Sequence, residues 1–184
     1  MISFFKRMYF RFFGSKAQVI PIVVPSVEIP AEYGLTPGFY IGKVEGATAG
    51  ELIMVGEAVE LLQRHVMTPR FRAAVLSKIF TSFNGLSNAQ IADKFQTSAL
   101  SVNVKFFTGS FKQNRIYKTV GLDSSTDDFV WANRYFVKDK KTLASLILHE
   151  LAHSLGFSHS SAKEYTSVPY QMNTILEALM NAEV

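Results

Sequence analysis

Three of the four histidines in this chain of 184 residues, His149, His153 and His159, fall within one short segment near its C-terminal end. They follow and interrupt an apolar run in which Leu143, Leu146, Ile147, Leu151 and Leu155 recur at steps of three and four, the periodicity of an amphipathic helix. Asp139 or Thr142 can cap that helix. On it His149 and His153 are displaced by about 40° around the axis and about 6 Å along it, close enough to reach one metal ion. Glu150 lies about 60° from His153 on the same side, so its carboxylate reaches a water at that ion without having to ligate it. A straight helix would carry His159 about 9 Å further and about 240° around, onto the wrong face. Gly156 removes the obstacle, because glycine at a helix end takes the left-handed conformation and turns the chain back. Three imidazoles among Leu and Phe side chains with nothing to bind would strand polar groups in apolar surroundings, which argues against an ordinary core helix.

The absence of cysteine removes disulfide, zinc-thiolate, iron-sulfur and cysteine-nucleophile chemistry, so any metal is held by His, Asp or Glu. The full pattern is H-E-x-x-H-x-x-G-x-x-H with every fixed position filled. For a chain of this composition its chance occurrence is on the order of 10⁻⁵, far rarer than the short two-histidine form.

With these residues the chain resembles the metzincin clan of zinc metallopeptidases. It also looks like small bacterial and phage metzincin-like proteins that carry a Ser-Val-Pro-Tyr segment after the third histidine, here Ser167 to Tyr170. The resemblance implies an α+β, compact metzincin-like zincin, with helices packed on a small, mostly antiparallel sheet. It implies one catalytic Zn²⁺ on His149, His153 and His159, with Gly156 supporting the turn. Glu150 would be the general base for a zinc-bound water that hydrolyses a peptide bond. Clan members place a methionine in a tight turn beneath the zinc, and Met172 is the candidate. Tyr170 departs from the pattern, standing two residues before that methionine where several metzincins have a tyrosine two residues after it. An edge strand above the cleft pairs with extended substrate in such proteins; Arg115–Leu122 is the counterpart by analogy, with Phe129–Phe136 the alternative. Two rival functions remain open at this stage: a zinc amidase acting on a non-protein substrate such as peptidoglycan, and a non-catalytic protein stabilised by its zinc. For hydrogen bonds to the ligand rings, Asp127, Asp128, Asp139 and Glu164 are the candidates. His65, outside the motif, reads as a solvated position near a helix end.

Upstream, Gly38–Val44 reads as a short strand with Gly42 as a bulge. Thr48–His65 carries Leu52, Val55, Val59 and Leu62 at helical spacing. A second helix begins at Pro69 after Thr68 and runs to Phe80, and Ser87 caps a third over Asn88–Phe95. Leu100–Phe107 then alternates apolar and polar residues, and Arg115–Leu122 and Asp128–Phe136 read as two more strands. Ile175, Leu176 and Leu179 mark a last helix.

Charge divides the chain at its start. Lys6, Arg7, Arg11 and Lys16 face no acid in the first 16 residues, which leaves 15 basic against 15 acidic residues in the remainder. The net charge of +4 therefore belongs to an aromatic, basic arm, and the neutral body gives no support to nucleic acid as a partner. Prolines 21, 25, 30 and 37 mark residues 1–37 as arm plus linker and 38–184 as the catalytic domain, expected to be a monomer acting on protein or peptide. Residues 1–16 suit an anionic membrane surface, a partner, packing on the domain itself, or an atypical export signal. No apolar run approaches the roughly 20 residues of a membrane span, and the location is left open.

Overall fold

The computed structural model describes residues 36–81, 84–110, 112, 114, 121–123, 129–159 and 164–182. The arm at residues 1–35, most of the Arg115–Leu122 segment, and Asp127 and Asp128 lie outside the described residues.

The first strand, β1 (Gly38–Glu45), leads into α1 (Ala49–Val66). The start of α1 is fixed by a reciprocal cap: the Thr48 hydroxyl accepts from the Glu51 N–H, and the Glu51 carboxylate accepts from the Thr48 N–H at 2.7 Å. This arrangement satisfies two of the donors that a helix start leaves open. Helix α2 (Pro69–Leu76) has Thr68 as its cap and Pro69 where a missing N–H costs nothing. Helix α3 (Asn88–Gln96) begins with a second reciprocal cap between Ser87 and Gln90. Three strands follow, β2 (Ala99–Phe107), β3 (Gly121–Asp123) and β4 (Val130–Asn133), and then α4 (Lys140–Ser154), capped by Asp139. A 3₁₀ turn over Glu164–Thr166 leads into α5 (Val168–Asn181).

The fold is α+β, as expected from a run of helices, then strands, then helices, but the sheet is not mostly antiparallel. Its order is β1-β2-β4-β3, with β1·β2 and β2·β4 parallel and only β3·β4 antiparallel. The reason is connectivity. β1 and β2 are joined through three helices, a connection long enough for the crossover that parallel neighbours need and far longer than the tight turn of a hairpin. β4 inserts between β2 and β3, so among the described residues β3 is the terminal strand on that side and β4, within the Phe129–Phe136 segment, is interior.

Phe39, Leu100, Val102, Val104, Phe106, Val130 and Ala132 form the buried face of the sheet. α4 packs against α1, α5, β4 and β3 and is buried along most of its length. That burial holds the histidine-bearing helix in a rigid setting. His65, expected at the surface, is buried at the end of α1 with 4% exposure, because the helix turns its last residues inward with Leu62 and Val66.

Candidate metal centre

α4 delivers His149, Glu150 and His153, and the chain then reverses through Gly156. Its φ of +92° lies in the region that favours glycine. The Gly156 N–H donates to the His153 carbonyl at 2.8 Å and the Phe157 N–H to the Ala152 carbonyl at 3.0 Å, the paired bonds of a Schellman ending. The Asn84 side chain donates to the Gly156 carbonyl at 2.5 Å. Phe157 anchors the turn: it is 2% exposed, and its ring stacks on Phe95 with centroids 6.3 Å apart. His159 follows two residues later and so returns to the side of α4 that carries the other two histidines.

One ring nitrogen from each of His149, His153 and His159 lies within 4.8 Å of the others. The ring centroids are 5.2 Å (His149–His153), 5.1 Å (His149–His159) and 4.6 Å (His153–His159) apart. Nε2 of His153 and Nε2 of His159 are 3.2 Å apart. Two ligands on a tetrahedral Zn²⁺ with Zn–N bonds of about 2.0–2.1 Å would be about 3.3 Å apart, so this pair already has a metal-ligand separation. The far side of each ring meets a partner. His153 Nδ1–H donates to the Phe157 carbonyl at 2.8 Å; a carbonyl can only accept, so His153 Nε2 is left with a lone pair. His159 Nδ1 lies 3.2 Å from the hydroxyl oxygen of Ser167, a fully buried residue, and His149 Nδ1 lies 3.4 Å from the side-chain amide of Asn173. The three histidines can hold a metal ion.

Electrostatics favour an unprotonated His149. Burial pushes the His149 imidazole down to about 4, helped by repulsion from His153 and His159, so it is neutral at pH 7 and protons compete little with a cation for it. Glu150 is buried on the same helix, 9% exposed.

Tyr170 enters the same cluster. Its ring centroid is 5.0 Å from that of His149 and 4.8 Å from that of His159. Met172, expected in a tight turn, lies inside α5 and is fully buried in the core. The turn before α5 is made instead by the 3₁₀ segment with Ser167, after which Pro169 favours a helix start. Of the acids considered as ring partners, Asp139 caps the opposite end of α4, where the Thr142 backbone N–H donates to it and holds its carboxyl below the usual range. Glu164 falls in the 3₁₀ turn. The residues that do meet the rings, Phe157, Ser167 and Asn173, were not singled out for this role by the sequence. Only the three-residue spacing of Ser167, Tyr170 and Asn173 at the head of a helix could have flagged two of them.

Comparison of the chain with protein-family models, with curated proteins and with solved structures gives no match.

Proposed function

We propose that this protein is a zinc-dependent metalloendopeptidase of metzincin type, with His149, His153 and His159 as ligands and Glu150 as general base. The observation that carries the reading is the convergence of three imidazole nitrogens within 4.8 Å, two of them on a helix that also buries the adjacent Glu150. An all-imidazole set with neither thiolate nor carboxylate suits Zn²⁺, and three protein ligands leave a tetrahedral ion one position for chemistry, whereas structural sites close the fourth.

When bound, zinc supplies Lewis acidity, which acidifies water and polarises a carbonyl. The chain's own residues do the rest. Glu150 takes the proton of the attacking water on a carboxylate oxygen and returns it to the leaving amine nitrogen. The burial of Glu150 supports a transfer away from bulk water. Tyr170, packed edge-on against His149, limits the movement of that ring. β3, the antiparallel terminal strand in contact with α4, supports a peptide as substrate, since an extended chain adds to a sheet edge through backbone hydrogen bonds.

The deciding experiment compares parent and Glu150→Gln proteins on casein, a quenched-fluorescent peptide library and cell-wall fragments, with zinc content measured alongside. The variant is expected to keep one zinc per chain and the fold while losing about 10²–10⁴-fold in turnover. Equal turnover by the two proteins would reject the mechanism, and hydrolysis of cell-wall fragments alone would move the substrate from peptide chains to peptidoglycan.

A further inference from the structure

The three ligand rings differ in how their far nitrogens are held. For His153 the partner is a backbone carbonyl, which fixes the proton on Nδ1. For His159 the partner is the Ser167 hydroxyl, which can accept or donate; Ser167 stands at the N-cap of α5 and makes no side-chain cap bond there. For His149 the partner is the Asn173 amide, and it presents a conflict. As placed, Nδ2 of Asn173 faces His149 Nδ1 at 3.4 Å while Oδ1 is buried without a hydrogen-bond partner. An NH₂ group donating to Nδ1 puts the ring proton on Nε2, the one nitrogen left to face the other two histidines, and abolishes its lone pair.

A half-turn of the amide exchanges its oxygen and nitrogen with almost no change of shape. Oδ1 then accepts from Nδ1–H, and Nε2 presents its lone pair. The half-turn also gives Oδ1, buried without a partner as placed, a donor in Nδ1–H. A cation held by Nε2 needs that lone pair and so favours the turned amide.

We infer that Asn173 is a positioning residue for the metal: with its carbonyl oxygen turned to His149 Nδ1–H, it selects the tautomer and ring orientation in which Nε2 ligates. This rests on the reading of the three histidines as a metal site. It adds a second helix to that site, since Ser167 is the N-cap of α5 and Asn173 lies in its first half, whereas two of the three ligands ride on α4.

The test measures zinc affinity of the full-length chain by competition with a chromophoric chelator for the parent, Asn173→Asp and Asn173→Leu, with His153→Ala as reference. Ligand-orienting partners change metal affinity by about 10–100-fold when lost, and that weakening is expected for Asn173→Leu. Asn173→Asp, which can only accept, is expected to bind zinc at least as tightly as the parent. Nitrogen-15 spectra of the zinc-loaded parent and Asn173→Asp should show His149 protonated at Nδ1. If Asn173→Leu does not fold, Asn173→Ala removes the acceptor without adding bulk and should show the same weakening. Leu or Ala affinity within twofold of the parent, or Asp weakened as much as Leu, would overturn the inference while leaving the metal site intact. A His153→Ala protein that binds zinc like the parent would overturn both.

Discussion

Replacing Gly156 by alanine isolates the one backbone conformation on which delivery of His159 depends. A Cβ built at Gly156 meets nothing within 4 Å, so crowding contributes nothing and the cost is conformational. At φ +92° an L-residue sits beyond the left-handed minimum near about +57°, and occupying that region costs about 1–2 kcal/mol. Alanine also narrows the unfolded ensemble, which returns about 0.4–1 kcal/mol, so the net loss is about 1 kcal/mol. Gly56 provides the control. It lies within α1, a Cβ there also meets nothing within 4 Å, and alanine in a helix interior is favoured by about 0.5–1 kcal/mol. The same chemical change should therefore move the melting temperature in opposite directions, a gap of roughly 3–8 °C for a chain of this size. Differential scanning calorimetry reads that gap. Gly156→Asn should fall between the parent and Gly156→Ala, because Asn tolerates positive φ. Zinc affinity should drop about tenfold in Gly156→Ala, by the range seen when a ligand is misaimed, and stay unchanged in Gly56→Ala. Equal thermal shifts of one sign in both variants would refute the argument that Gly156 is there for its φ.

Two further outcomes follow from charge. His149 is neutral in the fold down to about pH 4 but titrates near 6.5 when unfolded, so between those values the unfolded chain binds more protons and metal-free stability falls as pH drops through that window. The contribution reaches about 3 kcal/mol at most, read as the denaturation midpoint of metal-free protein at pH 7 against pH 4.5; a His149→Gln protein with the same pH slope would count against it. The second concerns Glu51, whose carboxyl burial would raise but which bonds from Arg134 and Thr48 bring below its usual value. Arg134 reaches it from the end of β4 at 2.7 Å and also donates to the Gly46 carbonyl. Arg134→Met should cost about 1–2 kcal/mol at pH 7, and the difference from the parent should shrink as pH falls below the ordinary Glu value, where the carboxylate takes up a proton. A urea midpoint difference that is the same at pH 7 and pH 3.5 would contradict this.

The features legible in the sequence are those set within one helical turn or one strand. Thr48 and Glu51 announce the start of α1, Ser87 and Gln90 that of α3, and the alternation of Leu100, Val102, Val104 and Phe106 gives the buried side of β2. The reversal at Gly156 was legible because only one residue type makes it without strain. Strand direction was not, since β1 and β2 meet across three helices and nothing local encodes which way the return runs. The extent of β4 was overestimated for a related reason. Asp128–Phe136 is apolar enough for a long strand, but Asn133 turns inward, fully buried, and accepts from the Gly109 and Tyr135 N–H groups, which ends the ladder. That bond involves a loop more than twenty residues away.

The same limit explains the partners of the ligand rings. A search of the sequence for such partners turns to acids, because a carboxylate behind an imidazole strengthens it most. The groups the structure places behind the three rings are a carbonyl, a hydroxyl and an amide. These are uncharged. A carboxylate behind a ligand passes electron density through the ring and blunts the electrophilicity of the ion it binds, whereas neutral partners fix orientation and leave that charge more exposed to whatever occupies the fourth position. Under the proposed reading, a zinc held this way would be bound less tightly than in a carboxylate-backed site and would polarise a bound carbonyl more. Under the proposed hydrolysis, Glu150 is the acid of the histidine segment that serves proton transfer.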